Sequence, residues 1–209
     1  MASRMIHLAI SKLLSEQYEV GDRERFLLGS VIPDAVPKEQ SHYFRIYENN
    51  TRKTYDLTGF RSRYSRRMDD GLYLGYYMHL IEDMAFRDYF YHTVGYVPSS
   101  KKIHRLHEDY SLLNRYIIGR YGITRVPDVP EDIADEPAVK EAGIDAAKFI
   151  REMQGDFENR QEGEPVYFTR EHADEYIKRA VTVCGYELDA LAGKREHIRE
   201  EELSWLRHD

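Results

Sequence analysis

The stretch from residue 69 to residue 92 constrains the fold of this 209-residue chain more than any other segment. Apolar residues such as Leu72, Leu74, Met78, Ile81 and Phe86 occupy nearly every face of the helix that it would form. A helix that is apolar all round is buried, either in a globular core or in a membrane. No apolar run in the chain approaches the roughly 20 residues that a membrane span needs. Residues 69–92 are therefore predicted to form the central helix of a helical core.

The periodicity of the other segments is helical as well. The spacing of Ile6, Ala9, Ile10 and Leu13 predicts a first helix over residues 2–17. Apolar spacing and boundary residues predict further helices over 22–31, 57–67, 100–121, 136–152 and 169–192, a long loop over 33–56, a linker over 123–135 and a frayed helix over 194–209. No strand-like alternation has useful length. The predicted fold class is all-α, a single-domain helical bundle with a helical core at 1–122 and acidic helices at 123–209 that pack on the same domain.

Charge divides the chain into two parts, although the net charge of the whole is −7. Residues 1–121 hold 18 Lys and Arg against 15 Asp and Glu, whereas residues 122–209 hold 12 against 22. Chemistry on an anionic substrate is therefore expected in the first part, with the second part as an acidic cover. The single cysteine, Cys184, excludes a disulfide framework. The first residues lack the apolar stretch of a signal peptide, so a cytoplasmic protein without a transmembrane segment is expected.

His79 and Asp83 are the first candidate ligands, because they lie four residues apart and share one face of the central helix. A buried His and a buried carboxylate need partners, since an unpaired buried charge is costly. A divalent metal ion would be a partner for both, as it is for two helical His at this spacing in metalloproteases. A structural His–Asp hydrogen bond in the core is the alternative.

Three further candidates stand alone in the sequence. His7 lies at the edge of the apolar face of the first helix, Asp34 follows Pro33, and His42 lies in the long loop. Taken singly, they are more typical of a core or boundary histidine, a helix stop or Asx-turn, and an exposed loop residue, respectively. Taken together with the helix-borne pair, they form a larger set of metal-ligand candidates.

A second His–carboxylate pair occurs in the predicted helix at 100–121. His104 and Glu108 are again four apart, and His107 and Asp109 lie close enough in sequence to replace one of them. His92, at the end of the central helix, is a further candidate. A solvated polar stripe opposite the apolar side of the same helix is the alternative.

Basic residues are concentrated between residues 52 and 67 and alternate with aromatic residues. This run contains Arg52, Lys53, Arg61, Arg63, Arg66 and Arg67 together with Tyr55, Phe60 and Tyr64. Such a composition suits contact with phosphate and stacking on bases. Steering of a small phosphate ester by Arg63 and Arg66 is favoured over nucleic-acid binding, and a solvated helix face is the third interpretation.

The order of these residues resembles the zinc-dependent phospholipase C family, an all-α family whose fold is shared with fungal single-strand nucleases. The likeness runs from about residue 5 to about residue 115. It is carried by His7, Leu-Gly-Ser-Val-Ile-Pro-Asp34, Ser-His42-Tyr-Phe and Tyr-Leu-Gly-Tyr-Tyr-Met-His79-Leu-Ile-Glu-Asp83. The resemblance implies one ion at Asp34, His42, His79 and Asp83, a second at which His7 shares Asp83, and a third at His92, His104 and Glu108. Secreted members also use an N-terminal Trp, whereas the only Trp here is Trp205.

The expected function follows from this resemblance. The chain is expected to bind one to three zinc ions, or another divalent metal, and to hydrolyse a phosphomonoester or phosphodiester with Asp34 as general base. Two alternatives from other classes remain open. One is a non-catalytic metal-binding or protein-interaction module on the same scaffold, and the other is a nucleic-acid-binding protein that uses residues 52–67.

Overall fold

A computed structural model of the protein describes residues 3–159 and 161–206. The molecule is mostly helical, with 63% helix and 4% strand, which confirms the all-α class. In chain order the helices are α1 (Arg4–Gln17), α2 (Arg23–Gly29), α3 (Lys38–Ser41), α4 (Leu57–Arg63), α5 (Gly71–Arg87), α6 (Ser100–Tyr121), α7 (Pro137–Ala142), α8 (Ala146–Glu158) and α9 (Arg170–Leu191). Shorter 3-10 turns lie at Ile32–Ala35, Ser65–Arg67 and Ile133–Asp135, and a π-helical turn at Asp88–Thr93 extends α5.

Helix α5 is the buried centre of the fold, as its sequence predicts. Every residue from Gly71 to Phe86 is buried. Helices α2 and α9 pack against it, and α1 lies beside both α9 and α5. Because the entire circumference of α5 is covered, its polar side chains must find their partners inside the protein.

Glycines let α2 and α5 approach each other at backbone distance. A Cβ atom on Gly75 would overlap the carbonyl oxygen of Phe26, and one on Gly29 would overlap that of Leu72. A residue with a side chain at either position would push the two helices apart. This contact fixes the end of α2, and therefore Ser30, against the middle of α5.

The segment from 33 to 56 is more ordered than the loop that was predicted. It contains the turn at Ile32–Ala35, helix α3 and two short strands, β1 (Phe44–Tyr47) and β2 (Arg52–Tyr55). The strands pair antiparallel, with Phe44 opposite Tyr55 and Tyr47 opposite Arg52. Glu48, Asn49 and Asn50 adopt positive φ at the hairpin tip, a conformation that Asn tolerates well. Four-residue strands are too short to show the alternation by which strands are recognised.

The C-terminal part differs from its prediction in three places. The predicted helix at 136–152 is two helices, because Gly143 takes a left-handed conformation and ends α7. The linker contains the turn at Ile133–Asp135. The tail forms a strand, β3 (Trp205–Leu206), paired antiparallel to β2, rather than a frayed helix. The last three residues of the predicted tail helix, 207–209, lie outside the described residues.

The acidic second part packs directly on the first and pairs with its basic side chains. Apolar residues from both parts form one buried core, in which Phe168 and Tyr176 pack against Phe86. Its carboxylates reach across to the first part in ion pairs, namely Glu136 with Arg25 and Arg67, Glu141 with Arg63, and Glu187 with Arg61. The charge asymmetry of the sequence thus corresponds to pairing within the molecule. None of the described helices is long and apolar enough to cross a membrane.

Candidate metal centre

Five of the predicted ligands meet beside the middle of α5. His79 and Asp83 come from α5 itself and His7 comes from α1. Asp34 lies in the turn after α2, and His42 is the residue that ends α3. Four of the five are completely buried, while the side chain of Asp34 is 17% exposed. The cluster is therefore a buried group of ionisable side chains with one edge open to solvent.

The imidazoles of His42 and His79 and the carboxylate of Asp34 form the tightest part of this cluster. The Nε2 atoms of the two histidines are 3.1 Å apart. Asp34 Oδ1 lies 3.6 Å from the first and 3.7 Å from the second. Asp83 Oδ2 is 3.5 Å from His42 Nε2. Asp34, His42 and His79 therefore form a compact triad of potential ligand atoms, and Asp83 approaches it on the side of His42.

The other ring nitrogen of each of these two histidines is already committed. His79 Nδ1 donates to the carbonyl oxygen of Ser30 at 2.8 Å. Ser41 Oγ donates to the carbonyl oxygen of Pro33, so it accepts from His42 Nδ1 at 2.7 Å. With the protons on Nδ1, both Nε2 atoms carry lone pairs that face each other. This is the arrangement in which backbone and hydroxyl groups orient histidines toward a metal ion.

His7 is held in the same way but by a carboxylate. Its Nδ1 lies 2.6 Å from Glu82 Oε2, and Ser11 Oγ donates to the other oxygen of Glu82. Its Nε2 points into the cluster, 3.6 Å from Asp83 Oδ1 and 3.9 Å from Asp34 Oδ2. Neither His7 Nε2 nor Asp83 Oδ1 has a hydrogen-bond partner in the described part of the chain, although both atoms are buried.

The pKa values separate these histidines into two kinds. Burial lowers the pKa of His42, and burial together with the nearby His7 lowers the pKa of His79 well below its ordinary value. Burial also acts to lower the pKa of His7, but the carboxylates of Asp83 and Glu82, which lie close to its two ring nitrogens, raise it to about 10. His42 and His79 are therefore neutral near pH 7 and ready to donate lone pairs, whereas His7 must release a proton before it can bind a cation.

Asp83 has two partners that the sequence did not reveal. The ammonium group of Lys38 forms an ion pair with its Oδ2, and the hydroxyl of Tyr55 donates to the same oxygen at 3.0 Å. Burial would raise the pKa of Asp83, but Lys38 and the neighbouring imidazoles of His42 and His7 hold it well below its usual range. Asp83 is therefore ionised.

The donor set fits a divalent cation. Zinc binds nitrogen and carboxylate ligands at 2.0–2.2 Å in a tetrahedron, which places neighbouring ligand atoms about 3.3 Å apart. The separations of 3.1–3.7 Å among His42, His79 and Asp34, and the 3.5 Å between Asp83 Oδ2 and His42 Nε2, agree with this spacing. Two triads meet the spacing of a metal site, His7–His79–Asp83 and Asp34–His42–His79. Both triads contain His79, and because its Nδ1 donates to Ser30, its Nε2 is left to bind one ion.

The residues predicted for a further ion do not reach this cluster. The side chain of His104 is 82% exposed and lies 3.4 Å from that of Glu108, which also pairs with Arg105. His92 is exposed at the end of the π-helical turn. The expectation that His104 and Glu108 face the same cavity as His79 is wrong, because α6 buries its opposite face through Leu106 and Leu113.

The two residues considered as replacements are also elsewhere. Asp109 is buried, but its carboxylate accepts hydrogen bonds from the backbone N–H groups of Val166, Tyr167 and Phe168. It therefore secures the chain before α9. His107 is exposed and stacks on Tyr110.

The basic run is largely compensated by neighbouring groups. Arg52 donates to Ser204, and Arg61, Arg63 and Arg67 pair with acidic residues of the second part. Arg66 is exposed. At least four of the six basic residues of the run therefore have partners within the molecule.

Comparison with known proteins finds no match for this chain among family models, curated proteins or solved structures.

Proposed function

We propose that the protein is a zinc-dependent phosphoester hydrolase built on the fold of the zinc-dependent phospholipases C. The observation that carries the proposal is the convergence of His42 Nε2, His79 Nε2 and Asp34 Oδ1 at separations of 3.1–3.7 Å, while both Nδ1 atoms are occupied. Two lone pairs that face each other in a buried site are unfavourable unless a cation lies between them.

The residues of the cluster divide the work. Asp34, His42, His79 and Asp83 would hold the ion, which would supply a polarised water molecule and neutralise charge on the phosphoryl oxygens. Asp34 is the only one of these ligands with access to solvent. Its Oδ1 lies beside the imidazoles of His42 and His79. The Asp34 carboxylate would accept the proton of the attacking water. The nearby His79, Lys38 and His7 outweigh burial and lower the pKa of Asp34, which keeps this carboxylate ionised.

The substrate class is a phosphomonoester or phosphodiester. In this proposal Arg63 and Arg66 attract the anionic substrate from solution. Because Arg63 is already paired with Glu141, the exposed Arg66 makes the larger contribution. Replacing both residues by Gln should raise KM and flatten its dependence on salt, with kcat nearly unchanged.

The test begins with elemental analysis of the purified protein and continues with a panel of phosphomonoesters, phosphodiesters, nucleotides and short-chain phospholipids. Chelation should abolish hydrolysis and added zinc should restore it. Asp34→Asn should lower kcat by about 100-fold or more even when the variant is loaded with zinc, since it removes the base. Zinc-loaded protein that hydrolyses no member of the panel would reject the enzymatic function.

A non-catalytic metal site is the second candidate. It is favoured because His92 and His104 are exposed and lie outside the cluster together with Glu108. The cluster alone offers ligands for fewer than the three ions of the zinc-dependent phospholipases C. In that case zinc would raise the melting temperature while every substrate in the panel stays intact.

A further inference from the structure

Lys38 is a cationic side chain within the proposed metal site. Its ammonium group forms an ion pair with Asp83 Oδ2, and its side chain is only 14% exposed. Lysine is strongly hydrated, so burying it requires a specific partner. Asp83 is that partner.

The position of Lys38 follows from the shortness of α3. This helix has four residues, and the backbone N–H of His42 donates to the carbonyl oxygen of Lys38. Residues four apart lie on the same side of a helix, so Lys38 and His42 enter the cluster together. One turn of helix thus delivers both a metal ligand and a positive charge.

Both groups converge on the same oxygen atom. Asp83 Oδ2 contacts Lys38 Nζ, accepts a hydrogen bond from Tyr55 at 3.0 Å and lies 3.5 Å from His42 Nε2. The other oxygen, Oδ1, has no hydrogen-bond partner in the described part of the chain. The oxygen nearest to His42 is therefore the one that Lys38 and Tyr55 already occupy.

We propose that Lys38 is a built-in competitor of the metal ion, whose ammonium group occupies Asp83 in the metal-free protein and is displaced when the ion binds. This inference rests on the metal centre proposed above. Lys38 keeps the buried carboxylate paired before the ion arrives, and it weakens binding of the ion because two cations compete for one oxygen and repel each other at short range.

Competition of this kind has a distinctive thermodynamic signature. Removing the lysine should destabilise the metal-free protein, because a buried carboxylate loses its counter-ion. The same change should tighten metal binding, so added metal should recover the lost stability. A lysine with a purely structural role would lower stability equally with and without the ion.

The experiment compares Lys38→Met and Lys38→Gln with Lys12→Met. Lys12 pairs with Glu16 at 2.6 Å on the surface of α1 and is therefore a matched lysine–carboxylate pair outside the site. Cobalt(II) serves as the probe, since its visible absorption reports a tetrahedral site of mixed ligands, and melting temperatures are measured in chelator and in saturating cobalt.

Both Lys38 variants should bind cobalt at least about tenfold more tightly than the wild type and Lys12→Met. Their melting temperatures should be lower in chelator, and the deficit should shrink or vanish in cobalt. Lys38→Gln is the milder change and keeps the test open if Lys38→Met does not fold. Equal cobalt affinity in all four proteins would overturn the role of Lys38 alone, whereas absence of cobalt binding in all four would overturn the metal centre itself.

Discussion

Helices α5 and α6 carry the same motif, a histidine followed four residues later by a carboxylate, in opposite surroundings. His79 and Asp83 on α5 are completely buried and lie within 4 Å of ligand atoms from other elements. His104 and Glu108 on α6 are exposed, and their ionic contacts are with each other and with Arg105. The spacing creates a pair of neighbouring side chains in both cases.

The difference between the two pairs comes from what surrounds them. On α5, Ser30 fixes the imidazole of His79 from behind, and Asp34 and His42 approach from in front. On α6 the side chain of His104 is 82% exposed, and its ionic contact is with Glu108 of the same helix. A metal-ligand motif becomes a site only where other elements bring further ligands and exclude water.

The largest effect is expected from His79→Ala, which removes the histidine shared by both triads. The variant should lose bound zinc and several orders of magnitude in hydrolysis of any substrate that the panel identifies, because the ion supplies both the activated water and the charge neutralisation. Elemental analysis and turnover measure the two effects. A His79→Ala protein that retains stoichiometric zinc would place the ion elsewhere.

Glycine substitutions allow a second comparison of α5 and α6, in which only the free energy of unfolding is measured. Gly75→Ala on α5 should destabilise the protein by about 2–3 kcal/mol, because its Cβ would overlap the backbone of α2. Gly119→Ala on α6 has open space around it and should instead stabilise by roughly 0.5 kcal/mol through helix propensity. Urea denaturation gives both values. Similar effects of equal sign at the two positions would contradict the close packing of α2 on α5.

The N-cap residues of the two helices should contribute to stability with a different dependence on pH. Asp70 caps α5 and accepts two hydrogen bonds from Arg25, which outweigh burial and lower its pKa, whereas α6 begins after the uncharged Ser99. Asp70→Asn keeps the cap but should cost about 1 kcal/mol at neutral pH through loss of the ion pair. Because the pKa of Asp70 is lower in the folded protein than the 3.8 of the unfolded chain, its ionised form stabilises the fold above pH 3.8. This stabilisation is lost as the pH falls through the folded pKa. The difference in stability between Asp70→Asn and the wild type should therefore shrink in acid.

Urea denaturation between pH 3 and pH 7 measures this dependence, with Ser99→Asn as the control. The difference in stability between Ser99→Asn and the wild type should be the same at every pH. A deficit of Asp70→Asn that stays constant down to the lowest pH would show that the ion pair with Arg25 contributes nothing.

The smallest effect is expected from the double change His104→Ala with Glu108→Ala. Both side chains are substantially exposed, so stability should change by no more than about 0.5 kcal/mol. Zinc content and turnover should match those of the wild type. Loss of zinc in this variant would indicate that His104 and Glu108 bind an ion. It would contradict the inference that the pair on α5 binds metal and the pair on α6 does not.

Much of the fold and the grouping of the first five candidate residues could be predicted because they depend on long or ordered patterns. The apolar surround of residues 71–86 and the repeats in α1, α6 and α9 are typical of helices that pack in a core. The strands escaped prediction because they are only two to four residues long and derive their stability from pairing across the chain. Pairing between β2 and β3 joins Lys53 to Trp205, a separation that no local pattern reveals.

The remaining errors at the site have one physical cause. Lys38 and Tyr55 carry no motif, and they reach Asp83 only because α3 and β2 happen to pack beside α5. His104 and Glu108 have a motif but lie opposite the buried face of their helix. Which face is buried depends on the partners of the helix, and those partners are distant in sequence.

The glycine contact between α2 and α5 has a consequence for the heat with which the proposed metal ion would bind. It holds Ser30, and through it the ring of His79, in place before any ion arrives. Zinc fingers fold when they bind zinc, so their binding is accompanied by a large negative change in heat capacity as apolar surface leaves water. Here that surface is already buried, and calorimetry of the chelated protein titrated with zinc at several temperatures should give a heat capacity change close to zero.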